Sequence, residues 1–130
     1  MHPDPAELAV VPVFAALEEA DLQRVTRWME VRRAEPGERL VSEGASGYSF
    51  FVLLDGTTKV TRDGVELRTL GPGDFFGELA LTGEGRRTAT VTATTPVTVA
   101  AMFGADFRVL ERELPAVADT IRQAAFARAS

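Results

Sequence analysis

The stretch that decides the fold is Tyr48-Ser49-Phe50-Phe51-Val52-Leu53-Leu54-Asp55-Gly56-Thr57-Thr58-Lys59-Val60-Thr61-Arg62-Asp63-Gly64-Val65-Glu66-Leu67-Arg68-Thr69-Leu70. Residues 48–54 are aromatic, branched and apolar, which predicts a buried strand. Asp55-Gly56 turns that strand into Thr57–Thr61, where alternation is less clean. Asp63-Gly64 is the strongest hairpin signal in the chain, because a tight two-residue turn needs residues that accept positive φ. Val65–Leu70 returns, and Gly71-Pro72-Gly73-Asp74 breaks the chain again.

The same punctuation extends outward. Upstream, Val31–Ala34 yields to Pro36-Gly37, Arg39–Ser42 follows, and Gly44 and Gly47 flank another turn. Downstream, Thr88–Ala93 and Val97–Met102 read as strands hinged at Thr95-Pro96. Short strands between glycine turns predict a closed or nearly closed antiparallel barrel or sandwich, a jelly-roll-like β-roll over about residues 30–103. Helices flank it. Phe14, Leu17, Leu22, Val25, Trp28 and Met29 recur at helical spacing, with Asp21 capping or starting a second helix, and this face is read as packing on the sheet. At the other end, Asp106–Leu114 and Ala116–Ala129 are helical, Pro115 sitting where a first turn tolerates it. The class is α+β, mainly β. One domain spans 11–130, with helices over about 104–129 and residues 1–10 as a flexible lead-in.

Composition narrows the function. The 130 residues are 45% hydrophobic and 25% charged, ordinary for a globular domain. No apolar run approaches the ~20 residues that cross a bilayer, and the N-terminus lacks the basic start of a secretory signal. Cysteine is absent, which removes disulfides and thiolate metal sites and fits a cytoplasmic chain. A net charge of −5 argues against a nucleic-acid surface. Lys59 is the only lysine among 14 basic residues and asparagine is absent, a bias of GC-rich bacterial coding. The single histidine, His2, leaves no nucleophile–base pair and no histidine metal site. The chain is read as no enzyme, with neither metal nor cofactor.

The chemistry concentrates in Phe76-Gly77-Glu78-Leu79-Ala80-Leu81-Thr82-Gly83-Glu84-Gly85-Arg86-Arg87-Thr88-Ala89-Thr90-Val91. Gly77 lets a ligand approach the backbone without a Cβ in the way. Glu78 to Leu81 form helix readily for about one turn, and a helix start offers free N–H groups and partial positive charge to an anion. Glu78, in that turn, is a carboxylate suited to a sugar hydroxyl. Arg87 carries a guanidinium fork that matches two phosphate oxygens, and Thr88 and the Ala89 amide add donors. Taken singly, Arg87 also reads as a surface ion-pair partner of Glu84, Glu78 as a solvated helix residue and Gly77 as a turn. Together they suit a small phosphorylated ligand.

This run resembles the phosphate-binding cassette of cyclic nucleotide-binding domains, as in protein kinase A regulatory subunits, bacterial catabolite activators and cyclic nucleotide-gated channels. The matching positions are Phe76, Gly77, Glu78, Leu79, Ala80, Leu81, Arg87, Ala89, Thr90 and Val91. Outside the cassette the resemblance includes Phe14, Leu17, Gly37-Glu38, Glu43-Gly44, Phe50-Phe51, Leu54, Gly56, Leu70-Gly71 and Gly73, so it spans about 11–126. It implies that Glu78 binds the ribose 2′-hydroxyl and Arg87 the exocyclic phosphate oxygens. Gly77, Leu79 and Ala80 would supply backbone contacts, with Thr88 and Ala89 completing the phosphate site. Arg86 replaces the family's usual proline. It loosens the preceding loop and adds a cation without removing any implied contact. Thr88 barely moves the choice between cAMP and cGMP, and the bacterial composition puts cAMP ahead.

Catabolite-activator relatives continue into a helix-turn-helix domain, whereas this sequence ends at Ser130. The expectation is therefore a stand-alone sensor that signals to an unknown protein effector, with no nucleic-acid or membrane contact. Ligand capture would draw the C-terminal helices toward the mouth of the roll, where Ile121, Ala125 or Phe126 caps the base. Leu110, Leu114, Val117 and Ile121 are spaced for a helix pair in a homodimer, or simply for packing on the roll. The alternative function is a nucleotide-independent interaction module that keeps the fold.

Overall fold

The Asp63-Gly64 turn forms with both residues at positive φ, 52° and 80°, joining β4 (Thr58–Arg62) to β5 (Val65–Leu70). The computed structural model in which it lies describes residues 1–15, 17–42, 49–76, 89–120 and 123. The remaining strands are β1 (Met29–Ala34), β2 (Arg39–Val41), β3 (Ser49–Asp55), β6 (Phe75–Phe76), β7 (Thr90–Ala93) and β8 (Val97–Phe103). They make two antiparallel four-stranded sheets, an inner one ordered β1-β8-β3-β6 and an outer one ordered β2-β7-β4-β5. The expected β-roll is present. Its sheets lie face to face and are not closed into a barrel among the described residues, so the sandwich form of the expectation holds rather than the closed one.

Two apolar layers hold the sheets, and the inner sheet feeds both. Phe51, Leu53, Val97, Val99 and Ala101 point toward Val41, Val60, Leu70, Val91 and Ala93 of the outer sheet. The alternate residues Phe50, Val52, Ala100 and Met102 point the other way, onto helical residues. Full burial of each such large side chain stabilises the fold by roughly 1.5–3 kcal/mol. A sheet covered on both faces needs nearly continuous apolar strands, and β3 and β8 are written that way. The outer sheet is covered on one face only: Thr58 and Val60 are buried while Lys59 between them is exposed.

Helices cover the inner sheet. α1 is Pro5–Ala9, α2 is Glu19–Arg27 and α3 is Gly104–Glu113, with a 3-10 turn at Pro12–Phe14. Helix α2 starts at Glu19 with no side-chain cap, slightly before the expected Asp21, and Met29 opens β1 rather than closing the helix. Acidic Glu19 and Asp21 in its first turn and Arg24 and Arg27 in its last suit the helix dipole. Residues 115–120 form a second C-terminal helical segment, and Val117 and Ala118 are buried with Leu8, Leu22, Val25 and Leu110.

The lead-in expected at residues 1–10 is folded. Asp4 accepts from the Ala6 amide at 2.9 Å, Glu7 accepts from the Asp4 amide at 3.0 Å, and Pro5 occupies the first turn of α1. Leu8 is 0% exposed. The Val31 amide donates to the Met1 carbonyl at 2.7 Å, and Nδ1 of His2 donates to the Met29 carbonyl at 2.7 Å. The two prolines do not loosen this segment, because Asp4-Pro5-Ala6-Glu7 is a capping box, which starts a helix.

Candidate functional site

The cassette leaves from the inner sheet and returns to the outer one. Phe76 ends β6, paired with Phe51 of β3, and the two rings stack with centroids 5.1 Å apart. The turn before it is tied to β3: the Gly73 amide donates to the Leu53 carbonyl and the Leu53 amide to the Asp74 carbonyl, both at 2.8 Å. One Asp74 carboxylate oxygen accepts from the Gly71 amide at 2.9 Å, and Gly73 takes φ +92°. On the return side, Thr90 and Val91 pair with Thr61 and Val60 of β4. Phe76 and Val91 are 3% and 4% exposed and lie in the same layer between the sheets. Both ends of the segment are thus anchored in one core, from opposite sheets.

Of the candidate ligand residues, the structure describes Ala89. It is half-buried and packs against the between-sheet layer, immediately before β7. Gly77, Glu78, Leu79, Ala80, Arg86, Arg87 and Thr88 lie outside the described residues, as do the lid candidates Ile121, Ala125 and Phe126. Of the residues spaced for a helix pair, Leu110 and Val117 are buried in the chain's own helical layer, and Leu114 packs against it. Internal packing describes these three. Among the described residues no group of three or more His, Asp or Glu is placed to hold a metal, and no helix is long and apolar enough to cross a membrane.

The strand register brings one further basic residue into line with the return end of the cassette. Val60 pairs with Val91 on one side and with Arg68 on the other, so these three form a row across the outer sheet. Arg68 is exposed and shares the inward face of Val60. It stands two strand spacings, about 10 Å, from the point where the cassette rejoins the sheet. Within Glu66-Leu67-Arg68 it reads as an ordinary solvent-facing charge. A register shift in β5 between Glu66 and Arg68 hides the pairing from any alternation pattern.

Residues 31–113 match the cyclic nucleotide-binding domain family. The chain belongs to it. This family is regulatory rather than catalytic. A cyclic nucleotide-gated potassium channel of Rhizobium etli is 34% identical over 121 residues, covering 93% of this chain and 34% of the channel. A cGMP-dependent protein kinase of Toxoplasma gondii is 41% identical over 86 residues, covering 66% of this chain and 9% of the kinase. Among solved structures, the Thermus thermophilus catabolite activator protein superposes with a TM-score of 0.81 at 30% identity, covering 90% of this chain and 57% of that one. The chain spans about a third of the length of the first curated relatives it matches.

Proposed function

We propose that residues 77–89 bind a cyclic nucleotide, and that the domain passes this event to a protein partner through movement of its C-terminal helical segment. The observation that carries the reading is the segment's position, bridging the two sheets with Phe76 and Val91 buried in one layer, in a chain whose residues 31–113 match the family. Glu78 takes the ribose 2′-hydroxyl and Arg87 the exocyclic phosphate oxygens. Gly77, Leu79 and Ala80 give backbone contacts, while Thr88 and Ala89 complete the phosphate site. Arg86 strengthens the positive field, and Ile121, Ala125 or Phe126 closes over the base. The domain does no chemistry of its own, works in the cytoplasm and touches neither nucleic acid nor membrane. Its composition places cAMP ahead of cGMP.

A second reading, cGMP as the preferred ligand, is favoured by Arg68. Guanine presents two acceptors, O6 and N7, that a guanidinium fork engages together, whereas adenine presents a donor beside N7. The relative at 41% identity is named as cGMP-dependent.

Calorimetry on the purified chain with cAMP and cGMP tests both. Arg87→Ala and Glu78→Ala each weaken binding about tenfold or more, since each leaves a charge-assisted bond unmade. Arg68→Ala leaves cAMP affinity unchanged under the first reading and lowers cGMP affinity selectively under the second. A wild-type chain that gives no heat with either nucleotide at high micromolar concentration refutes binding altogether.

A further inference from the structure

Strand β1 is an edge of the inner sheet, paired with β8 on one side. The unpaired N–H and C=O groups of a sheet edge are a template for another strand. Residues 1–3 cover part of this edge as a strap. The Met1 carbonyl accepts from the Val31 amide, and Nδ1 of His2 donates to the Met29 carbonyl, both at 2.7 Å. Pro3 is buried, and the capping box that follows at Asp4 fixes the strap to the fold. Backbone groups alternate sides along a strand, so those of Arg33 face the same edge as those of Met29 and Val31. Among the described residues, no strand and no strap covers Arg33.

The charges along β1 decide what that edge accepts. Its register with β8 runs without a shift from Met29 to Ala34, so Glu30 and Arg32 share one side of the sheet. Both are exposed, with the Arg32 guanidinium 5.0 Å from the centre of the Phe103 ring. A second copy added antiparallel about Val31 pairs Val31 with its own counterpart through two backbone bonds. That register sets Glu30 of each copy opposite Arg32 of the other, and Met29 opposite Arg33. Opposite charges so placed attract, and like charges repel. Registers centred on Glu30, Arg32 or Arg33 each oppose a charge to itself. The register that suits a second copy therefore needs the Val31 amide, which Met1 holds.

We propose that β1 is a pairing surface for a second copy of this chain, and that the Met1–Pro3 strap holds it closed by occupying the Val31 amide. Release of the strap lets two inner sheets join across a two-fold axis, with the same residues contributed by each copy. Glu30 and Arg32 set the register, and Arg33 guards the part of the edge that the strap leaves open.

Val31→Cys supplies a specific probe. The sequence has no cysteine, and an antiparallel pair brings opposed Cα atoms to about 5.5 Å, within disulfide range. Disulfide-linked dimer under copper–phenanthroline oxidation, and mass by light scattering, are read in this background, with circular dichroism confirming each fold. The full chain cross-links slowly. Replacing Met1–Pro3 by a single initiator methionine raises the rate about tenfold or more, the worth of two hydrogen bonds. His2→Ala in the full-length chain removes one of the two and raises it about threefold. In either released chain, Arg32→Glu lowers the rate about tenfold or more, because like charges then stand opposite one another twice. Adding Glu30→Arg to that variant restores it. Cross-linking that strap release leaves unchanged, that Arg32→Glu does not reduce, or that is already fast in the full chain overturns the proposal. Should the shortened chain lose its fold, the His2→Ala series decides by the same criteria.

Discussion

The two sheets differ in one respect, the number of faces they bury, and that difference organises the molecule. The inner sheet sends Phe50, Val52, Ala100 and Met102 to the helices and Phe51, Leu53, Val99 and Ala101 to the outer sheet. The outer sheet buries Thr58, Val60 and Val91 on one side and leaves Lys59 in solvent on the other. An antiparallel sheet commonly keeps one wet face. Here the inner one does not, because helices α1, α2 and α3 take that face. The cassette joins the doubly buried sheet to the singly buried one, so the spacing of the two sheets is felt at its ends.

The contrast is broken most severely in the inner sheet. Phe50 is 0% exposed and meets the Phe75 ring edge-on at 6.0 Å. Phe50→Ala lowers stability by about 3–5 kcal/mol in urea denaturation, whereas Lys59→Ala on the outer sheet's wet face changes it by less than about 0.5 kcal/mol. Equal losses at the two positions would refute the contrast.

A smaller effect comes from the crossing between the sheets. Gly56 connects β3 to β4 at φ +88°, and a Cβ there would stand 2.3 Å from the Pro96 carbonyl oxygen. Gly56→Ala costs at least about 2 kcal/mol, combining left-handed strain with a backbone collision. Gly64→Ala, at φ +80° with open space around it, costs about 1 kcal/mol. Thermal melts of the pair check the order. A Gly64 variant as damaging as the Gly56 one would mean that φ alone matters at the crossing.

A further effect, of about the size expected for Gly64→Ala, has the opposite sign. Thr58 is 0% exposed, and its hydroxyl has no hydrogen-bond partner among the described residues. Thr58→Val keeps the shape and removes an unsatisfied oxygen, so stability rises by about 1 kcal/mol. A loss instead would show that the hydroxyl is satisfied in solution.

Much of this was legible from particular residues. The apolar run Phe50–Leu54 marked a buried strand, and Asp63-Gly64 marked a hairpin, because positive φ is a local demand on residue type. The family was legible for a similar reason, since the run around Gly77, Glu78 and Arg87 carries its pattern in residue identity, and residues 31–113 match that family. Other features were not readable. Asp4-Pro5-Ala6-Glu7 carries local capping signals, but the burial of Leu8 that fixes the segment on the fold depends on distant contacts. Arg68 carried no local signal, since it is an ordinary charge until a strand register places it.

The sequence by itself determined the main strands, the Asp63-Gly64 turn and the family, because φ preferences and side-chain period are properties of short segments. Only the tertiary structure decided that the sheets lie face to face without closing, that the cassette bridges them, and that Leu110 and Val117 pack internally. Those outcomes depend on which apolar faces meet, and contacts between residues far apart in the chain are set by competition among all such faces at once.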